Sequence, residues 1–267
     1  MVRIALGVEY CGVGFEGWQC QPHGRTVQDA LQAAISQIAN CPTEVVCAGR
    51  TDTGVHGLSQ VVHFDTDARR PLTAWVRGVN ANLPGGVAVL WAQEVGEDFH
   101  ARFSALTRRY RYILLNRGVR SAVFNGRVGW YHQPLDVAQM AAAAELLRGQ
   151  HDFSAFRAAQ CQAKSPIRTL QDVVVQRSGD WVIFEFEANA FLHHMVRNMV
   201  GALIYVGNGN HSPEWIAELL RQRDRRLSPP TFAPDGLYLA GVSYPDHWNL
   251  PAKGRIIAPL SWPVEMN

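Results

Sequence analysis

The 267-residue sequence lacks the long apolar segment that a membrane protein needs. No uninterrupted apolar run approaches the roughly 20 residues required to cross a bilayer. The first residues, MVRIALGVEYCG, read as a strand that contains a glutamate rather than as a signal peptide. A hydrophobic fraction of 47% with 18% charged residues is typical of a globular protein with a well-formed core. We therefore expect a cytoplasmic protein.

Cysteine is also scarce, and its spacing carries no pattern. The five cysteines are an odd number without a C-x-x-C pair, which argues against a disulfide framework and against a zinc site. They are Cys11, Cys20, Cys41, Cys47 and Cys161. Two adjacent histidines, His193 and His194, would point about 100° apart on a predicted helix. They do not form the H-E-x-x-H pair that binds zinc, so we expect one buried histidine, one in polar surroundings, and no metal.

Lysine is nearly absent. Lys164 and Lys253 are the only two lysines, so arginine supplies almost all of the positive charge. The net charge of +2 is smaller than the strongly positive charge that is typical of a nucleic-acid-binding domain. A GC-rich genome would explain the arginine bias, and so would a need for guanidinium groups that fit phosphates and base edges. Composition does not decide between these explanations.

The pattern of the first half predicts an α+β module. VRIALGVEY alternates apolar and small or polar residues, as a half-buried strand does. Thr26 and Asp29 form a T-x-x-D capping start for a helix in RTVQDALQAAISQIA. SQVVHFDT and GVAVLWAQEV then read as two further strands.

The second half repeats this layout. RRYRYILLN reads as a strand, DVAQMAAAAELLRG as a helix, and TLQDVVVQRSGDWVIFEFEANAF as a hairpin, followed by the apolar helix LHHMVRNMVGALIYVG. Each half thus runs strand, helix, hairpin, which favours two similar α+β modules with antiparallel sheets. We predict an N-terminal module over 1–105, a C-terminal module over 106–245 and a peripheral extension over 246–267.

A glycine-rich segment after the first strand satisfies a nucleotide-binding pattern without its context. GVGFEG, residues 12–17, matches G-x-G-x-x-G, but such a site needs a helix to begin at once so that its N-terminus meets the pyrophosphate. Trp18, Pro22 and Gly24 intervene before the helix. We interpret the segment as a turn and expect no nucleotide cofactor.

The segment AGRTDTGVHG places an aspartate between an arginine and a histidine. Asp52 could serve only to satisfy N–H groups in a β-turn before the following strand. Arg50, two residues earlier, would however hold a nearby carboxylate ionised. An ionised carboxylate at the mouth of a basic, aromatic cleft is suited to nucleophilic attack on an electron-poor carbon.

The segment DFHARFSALTRRYRY mixes aromatic and basic residues. In its strand, Tyr110 and Tyr112 share one face while Arg109 and Arg111 share the other. A solvated basic edge strand with a tyrosine pair in the core would explain this pattern. A nucleic-acid surface would explain it equally, because arginines such as Arg108 hold phosphates and aromatic rings stack on bases.

Together these segments resemble the tRNA pseudouridine synthase A family, which isomerises uridines in the anticodon arm. The matching segments run in order through nearly the whole chain: GWQCQ, CAGRTDTGVHGLSQVVHF, NANLPGG, DFHARFSALTRRYRYILLN, DFSAFRAAQCQAKSPIRTL, ANAFLHHMVRNMVG and GLYLAGVSYP. The resemblance implies the pseudouridine synthase fold, in which two RRM- or ferredoxin-like modules join mainly antiparallel sheets into one extended sheet flanked by helices.

The resemblance also implies roles for individual residues. Asp52 falls on the catalytic nucleophile, and Arg197 would pair with it. Arg50 falls on the residue that enters the RNA stem and replaces the flipped uridine. Tyr110 matches the tyrosine that stacks on the target base, and Leu237 the apolar wall behind that base.

Two segments fall on stretches that contact tRNA in the family. Their residues, with Arg108 from the basic strand, are our predicted RNA contacts: Phe99, His100, Ala101, Arg102, Phe103, Arg108, Phe156, Arg157, Ala158, Ala159 and Gln160. The family acts as a homodimer with a basic cleft that crosses both subunits, and it uses neither metal nor cofactor. The resemblance implies modification of tRNA positions 38, 39 and 40.

Two other functions compete with this one. A non-catalytic RNA-binding protein with paired RRM-like modules would keep the arginine and tyrosine strand but has no use for Asp52 between Arg50 and His56. A nucleoside hydrolase-like enzyme would usually show paired carboxylates or an aspartate-rich metal cluster, and the G-R-T-D turn supplies one acid. The sequence does not choose between attack at the ribose C1′ and attack at the uracil C6.

Overall fold

The computed structural model describes residues 1–251, which form parts of two compact units. The first unit comprises Met1–Thr107 and the described residues from Tyr238 onward, and the second comprises Arg108–Leu237. Most of the predicted extension over 246–267 lies outside the described residues. Its described beginning holds a 3-10 turn at Asp246–Trp248.

The strands and helices follow one another in a mixed order. In chain order they are β1 Val2–Tyr10, α1 Val27–Ala39, β2 Val46–Cys47, β3 His56–Thr66, α2 Val79–Asn82, β4 Val87–Val95, β5 Thr107–Asn116, β6 Gly129–Tyr131, α3 Val137–Glu145, β7 Gly149–Asp152, β8 Ile167–Ser178, β9 Trp181–Ala188, α4 Met195–Gly207, α5 Trp215–Gln222 and β10 Leu237–Ser243. A π-helical turn at Ala74–Gly78 runs directly into α2. None of the helices in residues 1–251 is long and apolar enough to cross a bilayer.

The sheet of the first unit is centred on β1 and β3. β1 pairs antiparallel with both β3 and β4, and β2 pairs antiparallel with β3. β10 runs parallel to β3, with Tyr238 opposite His56. The last strand within residues 1–251 thus belongs to the same sheet as β3, the strand that follows the G-R-T-D segment.

One face of this sheet is covered by α1 and α2. Ile4, Leu6 and Val8 alternate along β1 toward that side, where they pack with Leu31 and Ile35 of α1 in one buried cluster. The helix begins as the sequence predicts, because the Thr26 side chain accepts a hydrogen bond from the backbone N–H of Asp29. The opposite face carries a smaller buried cluster that includes Ala5, Val61 and Phe99.

The sheet of the second unit is mainly antiparallel. β9 lies between β5 and β8, β7 pairs with β8, and the short β6 runs parallel to β5. Phe184 and Phe186 are fully buried on one face of β9, while Glu185 and Glu187 point away from it. This alternation is typical of a strand with one buried face.

The predicted class, an α+β protein with mainly antiparallel sheet and flanking helices, is confirmed. The strand, helix, hairpin order holds for the second unit, where β8 and β9 form a hairpin. It is wrong for the first unit, because the π-helical turn and α2 separate β3 from β4 and both strands pair with β1. All five cysteines, which lie within residues 1–251, are free thiols.

Candidate active site

The G-R-T-D segment forms a tight turn between β2 and β3. The backbone N–H of Val55 donates to the carbonyl of Asp52 over 3.1 Å, and Gly54 adopts a positive φ of 79°. Arg50 is exposed and Asp52 is partly exposed. Both side chains that the sequence selects therefore have access to solvent, as groups that meet a substrate must.

A buried side chain holds the start of this turn. The β2–β3 ladder continues to the hydrogen bond from the N–H of Ala48 to the carbonyl of Val61, 2.8 Å. One residue further on, the amide of Gln60 accepts from the N–H of Gly49 at 3.3 Å and donates to its carbonyl at 2.6 Å. Gln60 thus supplies the next rung of the ladder with its side chain.

Two further contacts hold the middle of the turn. The hydroxyl groups of Tyr10 and Thr51 are 2.8 Å apart and are both buried. The N–H of Trp18 donates to the carbonyl of Thr51 over 3.0 Å. Because Thr51 lies between Arg50 and Asp52, these bonds fix the backbone from which both functional side chains project.

The glycine-rich loop, residues 12–17, packs against this turn. A Cβ atom at Gly12 would lie 2.3 Å from the carbonyl oxygen of Val55, and one at Gly17 would lie 3.0 Å from that of Thr51. Gly17 also has a positive φ of 87°. The interpretation of this segment as a turn is confirmed, since α1 begins only at Val27. Its glycines allow the close approach of two backbones.

The end of the turn is held by a buried histidine. His56 is 2% exposed, and its Nδ1 atom accepts a hydrogen bond from the N–H of Gly12 over 3.0 Å. Its ring stacks on that of Tyr238, with centroids 4.5 Å apart. Sequence reasoning assigned no role to Gln60, Tyr10 or His56. The available signal was a glutamine at an inward position of the apolar strand SQVVHF.

The first predicted RNA-contacting segment contains both buried and exposed residues. Phe99 and Ala101 are fully buried in the first unit, and their contact with RNA stays a prediction. His100 is partly exposed, Arg102 is exposed, and Phe103 is 76% exposed. The Arg102 guanidinium lies 5.6 Å from the centroid of the Phe103 ring.

His63 anchors this segment to β3. Its Nδ1 atom accepts the N–H of Ala101 over 3.1 Å, and its ring lies 4.9 Å from that of His100. Burial lowers the pKa of His63 to about 4; the charges of Arg3 and His100 lower it too, while Asp65 acts in the opposite direction. The neutral imidazole is therefore the form that the folded protein accommodates.

The stability of the protein should depend on pH through His63. In the unfolded chain a histidine titrates near about 6.5, so only the unfolded state gains this proton between about pH 6.5 and about pH 4. His63 then has no effect on the pH dependence above that window, and within it the free energy of unfolding falls as pH decreases. We expect His63→Gln to show a shallower decline than the wild type in urea denaturation measured across these pH values. Parallel declines would contradict the assignment.

Three of the predicted site residues lie in the second unit. The ring of Tyr110 is 8% exposed and meets that of Phe191 edge to face, with centroids 5.0 Å apart. Leu237 is 5% exposed. Arg197, on α4, is partly exposed and donates through Nε to the carbonyl of Phe232 over 2.8 Å. The pairing of Arg197 with Asp52 stays a prediction.

The basic residues of β5 are used inside the second unit. Arg109 and Arg111 form ion pairs with Glu187 and Glu185, their partners across the β5–β9 ladder. Arg109 stays exposed, with 53% of its side chain accessible, whereas 15% of the Arg111 side chain is accessible. Arg108 is buried and donates to the carbonyl of Asn189 over 3.0 Å, and its contact with a phosphate stays a prediction.

The second predicted RNA-contacting segment also contains both buried and exposed residues. Phe156 is fully buried and Ala158 is 8% exposed, and their contact with RNA stays a prediction. Arg157 is partly buried and donates to the carbonyl groups of the loop that follows it. Ala159 and Gln160 are exposed, and their contact with RNA also stays a prediction.

The two adjacent histidines differ from expectation in position and burial. α4 begins at Met195, so His193 and His194 precede the helix, and His194 has a positive φ of 61°. Their rings lie 3.9 Å apart. His193 is exposed and His194 partly exposed, so the prediction of one buried histidine is wrong. The error follows from the helix boundary, which the apolar pattern placed too early.

Comparison with known proteins decides the family. Residues 7–104 and 143–245 match the family described as tRNA pseudouridine synthase. The tRNA pseudouridine synthase A of Aromatoleum aromaticum is 63% identical over 256 residues, which cover 96% of this chain and 97% of that protein. The chain belongs to the tRNA pseudouridine synthase family. A second member, from Dechloromonas aromatica, is 60% identical and covers 94% of this chain and 95% of its own length.

Membership of the tRNA pseudouridine synthase family confirms the predicted resemblance and the predicted class of enzyme, an isomerase acting on tRNA uridine. Nothing in it favours the non-catalytic alternative. A solved archaeal box H/ACA sRNP Nop10–Cbf5 complex is similar at 13% identity and a TM-score of 0.35, over 75% of this chain and 43% of that one. A similarity of this size supports no conclusion about function.

Proposed function

We propose that this tRNA pseudouridine synthase acts on the uridines at positions 38, 39 and 40 of the anticodon stem-loop, with Asp52 as its nucleophile. The observation that carries the proposal is the G-R-T-D turn. It presents a solvent-accessible carboxylate beside an exposed arginine on a backbone held by buried contacts. A turn that served only to connect two strands would not require such support.

The chemistry requires no external donor or acceptor. The N1–C1′ bond of uridine breaks, the base rotates, a C5–C1′ bond forms, and the hydrogen of C5 leaves as a proton while N1 gains one. Asp52 attacks as a carboxylate, at the ribose C1′ or at the uracil C6. Arg197 would supply the counter-charge, because burying an unpaired carboxylate against RNA costs several kcal/mol.

The target uridine must leave the stacked stem before it can react. Extrusion costs roughly a few kcal/mol, and stacking of the base on Tyr110 would return about 1–3 kcal/mol. Leu237 would form the wall behind the base. Insertion of Arg50, which is exposed at the turn, would fill the space that the uridine vacates.

The exposed residues of the two predicted RNA-contacting segments would bind the tRNA around the site. Arg102 and Phe103 combine a positive charge with an accessible ring, a pairing that suits phosphate and base. His100, Ala159 and Gln160 would contribute further contacts. We also propose that the enzyme is a cytoplasmic homodimer that needs neither metal nor cofactor, as the resemblance implies.

The proposal is tested by following tritium release from tRNA labelled at C5 of uridine, with mapping of the product. We expect release of tritium and pseudouridine at positions 38, 39 and 40 in tRNA that carries uridine there. A transcript with cytidine at all three positions is the control and should release none. Binding that leaves uridine intact would favour the RNA-binding alternative, and free uracil would favour a hydrolase.

A further inference from the structure

We infer that Gln60 is a positioning residue for the proposed nucleophile. Its side chain is fully buried, and its amide bonds with both backbone groups of Gly49. Gly49 immediately precedes Arg50 in the turn that presents Asp52. The inference rests on the proposed function, since it concerns how the carboxylate of Asp52 is placed for attack.

A purely structural role does not explain a glutamine at this position. Gln60 lies opposite Val8, on the face of the sheet where Val62 and Phe64 pack against the helices. An apolar residue would fill this space without the cost of burying an amide, about 1–3 kcal/mol when its bonds are imperfect. The amide is needed because Gly49 lies beyond the last backbone bond between this segment and β3, from the N–H of Ala48 to the carbonyl of Val61. Its two bonds prevent the turn from moving away from β3.

The other contacts of the turn show which of its residues only Gln60 keeps from moving. The bond between Thr51 and Tyr10 joins the turn to β1, and the bond between Val55 and Asp52 lies within the turn, so neither joins it to β3 as the bonds of Gln60 do. Without Gln60, the turn would be held at Ala48 and again at Thr51, with Gly49 and Arg50 loose between them. Displacement of a reacting group by about 1 Å costs on the order of 10²-fold in rate.

The structure offers a matched control for this inference. Asn80 makes the same double contact with Val89, accepting from its N–H at 2.7 Å and donating to its carbonyl at 2.8 Å. Its partner strand, β4, is separated from β3 by β1. Asn80→Ala therefore removes an equivalent amide bridge from the same unit without touching the turn.

The experiment compares Gln60→Ala with Asn80→Ala in the full-length protein, using tRNA as substrate. We expect both variants to lower the melting temperature. Gln60→Ala should also lower kcat by roughly 10- to 100-fold while its Kd for tRNA stays close to that of the wild type. Asn80→Ala should keep the wild-type kcat per folded molecule. Equal kcat values for the two variants would overturn the inference.

A second variant adds a readout that loss of packing would not produce. Gln60→Glu keeps the volume of the side chain but loses the donor to Gly49 when ionised. Burial raises the pKa of a carboxyl group, and the protonated acid regains a donor. The ratio of its kcat to that of the wild type should therefore rise as pH falls from about 8 to about 6. If Gln60→Ala does not fold, this ratio decides the question, and a constant ratio overturns the inference.

These outcomes are distinguishable from failure of the proposed function. A wild-type protein that forms no pseudouridine would overturn the function itself. An active wild type with an inactive Asp52→Asn and an unaffected Gln60→Ala would overturn only the positioning role. The wild type and Asp52→Asn are therefore measured in the same series.

Discussion

Asp52→Asn should bind tRNA with near wild-type affinity and form no detectable pseudouridine. The amide preserves the size of the side chain but cannot act as a nucleophile, so the loss should exceed roughly 10⁴-fold in kcat, as for removal of other covalent catalysts. Backbone placement should survive, because the bonds that hold the turn use Gly49, Thr51 and the backbone carbonyl of residue 52. Tritium release measures turnover, and filter binding measures affinity.

A matched carboxylate provides the control for this experiment. Asp67 follows β3 in the same unit, and its side chain is 80% exposed and paired with the N-terminal amino group. Asp67→Asn makes the same chemical change away from the turn and should keep wild-type turnover. An Asp52→Asn protein that turns over tRNA at a rate near that of Asp67→Asn would refute the nucleophile assignment.

The sequence predicts the position of Asp52 because the signal is local. The glycines, the arginine and the aspartate that define the turn lie within a few residues of one another. The groups that hold the turn are distant along the chain: Tyr10 is 41 residues from Thr51, and Gly12 is 44 residues from His56. Only the pairing of β1 with β3 brings them together, and no periodicity within either strand contains that register.

For the predicted RNA contacts, local sequence does not reveal which side chains are buried. Phe99 and Ala101 lie in a segment of turns, where the two-residue alternation of a strand cannot be applied. Their burial depends on Tyr244 and Trp248, which come from the far end of the chain. The alternation along β5 correctly predicts that Arg109 and Arg111 share a face opposite the buried Tyr110 and Tyr112. The glutamates that neutralise them were also visible in the sequence, but the β5–β9 register that aligns the four residues was not.

Asn198→Ala should produce the largest loss of stability among single substitutions in the second unit that spare its apolar core. Asn198 is fully buried on α4, next to Arg197. Its side chain donates to the carbonyl of Phe156 over 2.7 Å and accepts from Thr231 at 2.7 Å and from Arg225 at 3.1 Å. Burial already lowers the pKa of Arg225, so removal of this acceptor weakens the solvation of a charge that water reaches poorly.

The expected cost of Asn198→Ala is about 3–5 kcal/mol, since a buried carbonyl, a hydroxyl and a guanidinium each lose a partner at once. Urea denaturation followed by circular dichroism measures it. Asn208→Ala, at the end of the same helix, removes a side-chain bond to the hydroxyl of Tyr131 at a partly exposed position and should cost about 1 kcal/mol. In Asn198→Asp, a carboxylate still accepts from Thr231 and Arg225 but cannot donate to Phe156. The new carboxylate also pairs with the charge of Arg225, so the stability of this variant reports the lost donor bond and the gained ion pair together. If Asn198→Ala costs no more than Asn208→Ala, the buried network does not stabilise α4.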